Sequence, residues 1–382
     1  MGIQMSLREP ALTIAGAGLF GLTVARLCAE ELDRRVIIFE TRDHIGGNAY
    51  SYVDQKTNID IHKYGSHIFH TSNQKVWDFV NRFSSWIPYE HKVYSSSKNE
   101  IFSLPVNLST IEKFAGRTMT PDEAKIWMLN ATGSTTSDPK NFEELAIASV
   151  GVEIYERLFK GYSIKQWGSP PSRIQSNVFK RLPIRFDYNN NYFSDDFQAI
   201  PSKGYGEFLK NLANHENIEV MTGVKHKGIA QQDSTPLIFT GPIDAYFQHA
   251  YGVLPWRTLD FEVTTINQHQ YQDYPVLNYA DVDVPWTRIH EFKHFPTELQ
   301  HKAGFTVVAK EYSRAAESKD EPYYPIEGDL SRTTLLKYRE IAKQSQNVLF
   351  AGRLGSFKYL DMHMAIASAM SYFDSWVIPR VK

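Results

Sequence analysis

The sequence predicts an α/β protein in which a discontinuous parallel-sheet domain is interrupted by a helical insertion and an antiparallel-sheet domain. Three observations carry that prediction. Short continuous apolar runs recur at the start, middle and end of the chain, as strands buried on both faces require. A stretch with helical apolar spacing joins the first two of them. Alternating apolar and polar positions, the mark of antiparallel strands with one wet face, concentrate in Val263–Tyr312. At about 150 residues per domain, 382 residues suit two or three domains.

The elements follow in order. Ala11–Ala15 (ALTIA) is a buried strand that runs into glycine, and Arg35–Phe39 (RVIIF) is a second. Between them Leu22, Ala25, Ala29 and Leu32 mark one face of a helix over Leu19–Leu32. Strand, helix and strand within about thirty residues make a βαβ unit, hence a parallel sheet. Residues 1–78 form the first part of this domain. Residues 79–165 read as the helical insertion. There Thr120-Pro121-Asp122-Glu123 supplies an N-cap, a first-turn proline and acids, and Asn141 opens a helix running through Leu145, Ile154 and Leu158. Residues 166–200, with a turn at Asn189–Asn191, read as the first part of the antiparallel sheet, and 243–330 as the second. Residues 201–242 and 331–382 return to the α/β pattern, the last with a strand at Asn347–Ala351 and a helix over Asp361–Phe373.

Composition excludes several classes. Lys+Arg 41 against Asp+Glu 43 gives a net charge of −2, so no nucleic-acid partner is expected. The single cysteine, Cys28, excludes a disulfide framework and multi-cysteine metal sites. His62, His67 and His70 do not have the helical i, i+4 spacing of a ligand pair, and no metal is expected. No apolar run approaches the roughly 20 residues of a membrane span, and the first ten residues lack the apolar core of a signal peptide. A cytoplasmic protein without membrane insertion is the expectation.

Gly16-Ala17-Gly18-Leu19-Phe20-Gly21 is a GxGxxG between strand and helix. Gly16 permits the tight turn, Gly18 lets backbone amides approach a pyrophosphate, and Gly21 lets helix and strand pack closely. Glu40 closes the second strand, where a carboxylate takes ribose hydroxyls. Thr41 and Arg42 follow, and then Gly46-Gly47-Asn48, a second glycine pair that resembles the extended motif of the glutathione-reductase and amine-oxidase flavoproteins. FAD is therefore the expected cofactor and the domain is Rossmann-like. The strand–glycine–helix at Phe350-Ala351-Gly352-Arg353, with Leu360, Asp361 and Met362 after it, is expected against the isoalloxazine ring. His67 and Ile68 join the cofactor set because Gly65 permits close approach there. No second GxGxxG follows, which argues against a built-in NAD(P)H domain and for an external reductant.

The runs HIGGNAY (44–50), HKYGSHIFH (62–70), FSLPVNL (102–108), KGYSIKQWG (160–168), NNYFSD (190–195), EPYYPI (321–326) and GRLGSFKYLDMH (352–363) resemble the bacterial UDP-galactopyranose mutase family across nearly the whole chain. The resemblance implies a redox-neutral isomerase that needs reduced FAD and interconverts UDP-galactopyranose and UDP-galactofuranose through a covalent bond between flavin N5 and the sugar. It implies catalytic roles for Arg181, Arg353 and His67, with Arg181 and Arg353 on the diphosphate and Arg257 and Arg288 as secondary phosphate ligands; Arg185 competes with Arg181. Tyr192, Tyr324 and Tyr359 match phosphate-binding tyrosines. Phe159 and Tyr162 match the wall that stacks on uracil, Asn278 a base-edge ligand, and Trp167 a mobile-loop tryptophan. Gln166–Pro171 reads as the lid, hinged at Gly168. A homodimer is also implied. Ser66 stands where the family carries proline or alanine, and His91 where some members carry asparagine; both leave the preferred sugar open. The alternatives are the same chemistry on another UDP-hexose, a flavin amine oxidase or desaturase-like oxidoreductase, and a non-enzymatic binding module of the GDP-dissociation-inhibitor kind.

Overall fold

The computed structural model describes residues 9–133, 138–181, 183–225 and 235–382, without the side chains of Asn177, Lys180 and Arg181. The first βαβ unit forms as its apolar spacing requires: β1 (Leu12–Ala15), α1 (Leu19–Glu31) and β2 (Val36–Phe39). β1 and β2 pair in parallel, with Leu12 opposite Val36 and Ala15 opposite Phe39. Leu12, Ile14, Val36 and Ile38 are fully buried. Ile218–Met221 adds outside β2, and Leu237–Phe239 then Val348–Phe350 add beyond β1, giving a five-stranded parallel sheet drawn from three stretches of chain.

The second large sheet has seven strands in the order Tyr324–Pro325, Trp256–Ile266, Thr306–Ala315, Arg288–Glu291, Val276–Tyr279, Val93–Ser97, Glu100–Leu104. One join, Leu277–Tyr279 with Tyr94–Ser96, is parallel, so the sheet is mixed. Its last hairpin falls in the stretch read as helical. Val93, Ser95 and Ser97 face inward there, and two serines among three buried positions erase the apolar alternation. Phe197–Pro201, expected in the antiparallel sheet, instead joins Phe69–Thr71 and Trp86–Pro88 in a separate three-stranded sheet.

In the helical insertion Pro121–Thr132 starts on a capping box: Thr120 N donates to Glu123 Oε2 (2.8 Å) and Glu123 N to Thr120 Oγ1 (3.3 Å). The helix expected from Asn141 through Leu158 is broken. Phe142–Ile154 bends at Gly151 (φ 79°), where a Cβ would lie 2.8 Å from Ala131 O. A π-turn follows at Tyr155–Lys160, and then the helix Gly161–Trp167, ended by left-handed Gly168.

Gly161 sets how closely that last helix meets the seven-stranded sheet, because a Cβ on it would lie 2.2 Å from Ala280 O. Gly161→Ala is therefore expected to push the helix outward, costing about 1–3 kcal/mol of stability and weakening nucleotide binding while the βαβ unit stays intact. Urea unfolding and nucleotide titration check this.

Candidate active site

A cavity of 1090 Å³ extends from the carboxyl ends of β1 and β2 to the seven-stranded sheet. It is larger than an ordinary site for one small molecule, roughly 300–1,000 Å³, and has room for two ligands side by side.

One half is a nucleotide cradle. Gly16 has φ 112° and a Cβ there would meet Thr240 Oγ1 at 2.0 Å, so the turn demands glycine. A Cβ on Gly18 would meet nothing within 4 Å, and Gly18 offers α1 no side-chain cap, so the first-turn amides remain for an anion. Glu40 closes β2. Its Oε2 accepts from Ala17 N (2.8 Å) and its Oε1 from Arg42 N (2.9 Å), tying the glycine turn to the strand. Asp361 begins a second helix, Met362–Tyr372, also without a side-chain cap and on the same cavity. Two uncapped helix starts, a strand-end carboxylate and an open direction at Gly18 fit FAD. Phe20, Gly21, Thr41, Gly47, Asn48, Ile68, Gly352, Leu360 and Met362 line this cavity as well. Arg42 is held by protein: it pairs with Glu321, donates to Asn48 Oδ1 (2.8 Å) and lies 4.4 Å over the Tyr64 ring. His67 Nδ1 donates to Gly65 O (2.6 Å) and its N–H to His62 Nδ1 (3.0 Å). Burial pulls its pKa down to about 4, so the ring is neutral at pH 7.

The other half is aromatic and cationic. Phe159 and Tyr162 stand with Val93, Leu104 and Val276 along one wall, and beside them Asn278 Oδ1 is buried with no hydrogen-bond partner among the described residues. Arg288 Nε lies 3.1 Å from Glu311 Oε1, and Arg288 Nη2 donates to the Tyr162 hydroxyl. Burial works against the Arg288 charge, but Glu311 outweighs it and pushes the guanidinium pKa well above its ordinary value. Arg353 donates to Tyr323 O and Pro322 O (2.5 and 2.7 Å) and has no carboxylate in ion-pair reach among the described residues. Burial, then Arg42, pulls its pKa down to about 10; it stays charged at pH 7, where a bound anion would relieve it. Tyr324 stacks on Tyr359 (centroids 5.9 Å apart), and burial pushes its pKa to about 12, which keeps the hydroxyl a donor. Tyr192 lines the same half.

Two expected site residues, Trp167 and Arg257, do not line the cavity. The Arg181 side chain lies outside the described residues. Trp167 stands one layer back, its ring 6.1 Å from that of Tyr324. Arg257, expected on phosphate, is a helix cap. It donates to Gln166 O (2.9 Å), to Lys165 O (3.3 Å) and to Ser313 Oγ (3.2 Å), using its charge on the carbonyl end of Gly161–Trp167. Arg185 is turned toward the carbonyl of Asn191. The sequence reading missed Glu311 and His290, both on the cavity. The signal was present: in FTVVAKEY, Glu311 shares the inward face of Val307 and Ala309, and a carboxylate on a buried face needs a reason.

A family model described as UDP-galactopyranose mutase matches residues 157–359, which carry the Arg288 wall, and one for an NAD(P)-binding Rossmann-like domain matches residues 14–83. A probable UDP-galactopyranose mutase of Klebsiella pneumoniae is 42% identical over 96% of this chain and 94% of its own. The chain belongs to the UDP-galactopyranose mutase family. Family relatives are not all alike in name: a dTDP-fucopyranose mutase of Escherichia coli is also 42% identical, over 94% of this chain and 96% of its own. The fold agrees, since a crystal structure of reduced UDP-galactopyranose mutase superposes with a TM-score of 0.74 over 98% of this chain and 95% of that one, at 16% identity.

His91 gives a pH prediction. It is 5% exposed and lines the cavity, and burial, then His290, Arg288 and His70, pulls its pKa down to about 3. Between pH 6.5 and 3 the unfolded chain takes up a proton there that the folded protein refuses, so stability falls as pH falls through that window, by up to about 5 kcal/mol. His91→Asn should lose less stability than the parent between pH 7 and 4 in urea unfolding.

Proposed function

We propose that the protein interconverts UDP-galactopyranose and UDP-galactofuranose with FAD seated in the glycine cradle. The observation that carries this reading is the continuity of that cradle with a pocket holding two half-buried arginines and several tyrosines. A nucleoside diphosphate brings about two negative charges, and guanidinium forks match its oxygens. Arg288 and Arg353 are placed to take the diphosphate with Tyr192, Tyr324 and Tyr359, and Arg181 is assigned to the same group by the family motif. The tyrosines each donate without adding charge, which lets UDP leave during turnover. Phe159 and Tyr162 offer uracil an aromatic face, and the unpartnered Asn278 Oδ1 suits its N3–H.

With nucleotide at one end and cofactor at the other, the hexose lies between them, near His67. FAD, when bound and reduced, supplies the nucleophile that keeps the anomeric carbon while UDP is away and the ring is remade. The surrounding residues hold UDP close, exclude water and keep the sugar aligned. An external reductant, a cytoplasmic setting and a homodimer accompany this reading. A second reading, the same chemistry on another nucleotide sugar, is favoured by the Escherichia coli relative named for dTDP-fucopyranose.

Arg288→Lys tests the diphosphate assignment, because lysine keeps a charge for Glu311 but loses the fork. It should lower kcat/KM for UDP-galactofuranose about 10- to 100-fold, as loss of one charge-assisted contact implies, with flavin content unchanged. Undiminished turnover would remove Arg288 from the site.

A further inference from the structure

Ser66 occupies the seam between the two halves of the cavity. Gly65 and His67, its chain neighbours, belong with the cofactor half, whereas its side chain turns to the sheet that carries Arg288. Ser66 Oγ lies 2.7 Å from His290 Nδ1, and His290 Nε2 lies 3.1 Å from Glu311 Oε2. Glu311 is fixed in turn. Its Oε1 accepts from Thr287 Oγ1 (2.8 Å) and faces Arg288 Nε at 3.1 Å. His290 and Glu311 are each 1% exposed.

This chain decides the direction of each hydrogen bond. Glu311, paired with Arg288, is an ionised acceptor, so His290 Nε2 carries the proton. Nδ1 of the neutral ring is then bare and can only accept. Ser66 has one hydroxyl proton, and His290 takes it. What Ser66 presents to the cavity is an oxygen that accepts and cannot donate.

We propose that Ser66 is a specificity-determining residue, a fixed acceptor for one donor group on the transferred hexose. The inference rests on the functional reading above, which places the hexose at this seam. It narrows the substrate class to nucleoside diphosphate hexoses that carry a hydroxyl or amide N–H at the position meeting Ser66. An analogue deoxygenated there sets a C–H against an oxygen whose direction His290 has locked. Sites built to bond a hydroxyl discriminate strongly against the analogue that lacks it.

The test uses the FAD-loaded protein and a panel of UDP-galactose and its 2-, 3- and 6-deoxy analogues, with dissociation constants from calorimetry and kcat/KM from the reduced enzyme. The parent protein should bind one analogue at least tenfold more weakly than UDP-galactose. Ser66→Ala should bind that pair within about twofold of each other, with affinity for UDP itself unchanged. If Ser66→Ala keeps the full discrimination, or the parent protein shows none, the assignment is wrong. Failure of the underlying functional reading looks different: the parent protein would not bind UDP at all.

Discussion

The ion pair between Arg288 and Glu311 is the constraint on which the substrate half of the site depends. The two residues stand directly opposite in the antiparallel register of Arg288–Glu291 with Thr306–Ala315. Glu311 cannot stand alone. A carboxylate 1% exposed beneath a cavity must be matched, and removing one partner of a buried pair costs about 3–5 kcal/mol. Thr287 and His290 satisfy the other lone pairs of Glu311, so its charge is stabilised from three sides. Arg288 is thereby held charged and aimed, and its donation to Tyr162 fixes the aromatic wall in the same stroke.

That wall arrives from another part of the chain. The helix Gly161–Trp167 is fastened to the sheet by Lys165, whose ammonium donates to the carbonyls of Tyr279, Val284 and Trp286 at 2.7–2.9 Å. Arg257 and Ser313 close its carbonyl end. The cofactor half, by contrast, forms where parallel strands end and helices begin, with Thr240, Gly352 and the helix start at Asp361 brought in from distant parts of the chain. The fold thus places a sheet-edge glycine cradle against a sheet-floor cation within one cavity.

Legibility in the sequence follows the same division. Gly16 to Gly21, Glu40 and the Gly46–Gly47 pair are readable because their spacing within one βαβ unit is itself a pattern, although Thr240 and Leu209, which press on Gly16 and Gly46, come from far along the chain. The hairpin at residues 93–104 is not, since its inward serines carry no hydrophobic signal. The bend at Gly151 is dictated by Ala131, a contact no periodicity records. The family resemblance makes Arg257 a secondary phosphate ligand, and only the position of Gln166 O reveals a cap. Glu311 and His290 acquire meaning from strands paired across the sheet, although a carboxylate on an alternating buried face was a warning in the sequence itself.

The central claim is that one cavity holds a reduced flavin beside a UDP-bound hexose and isomerises it without net oxidation. The most direct test is to incubate the purified, FAD-loaded protein anaerobically with UDP-galactofuranose, with and without dithionite, and separate the two UDP-sugars. The account predicts conversion to UDP-galactopyranose only after reduction, with no flavin oxidised per turnover. Absence of conversion by protein whose flavin is bound and reduced, or a turnover that consumes reduced flavin stoichiometrically, would contradict it.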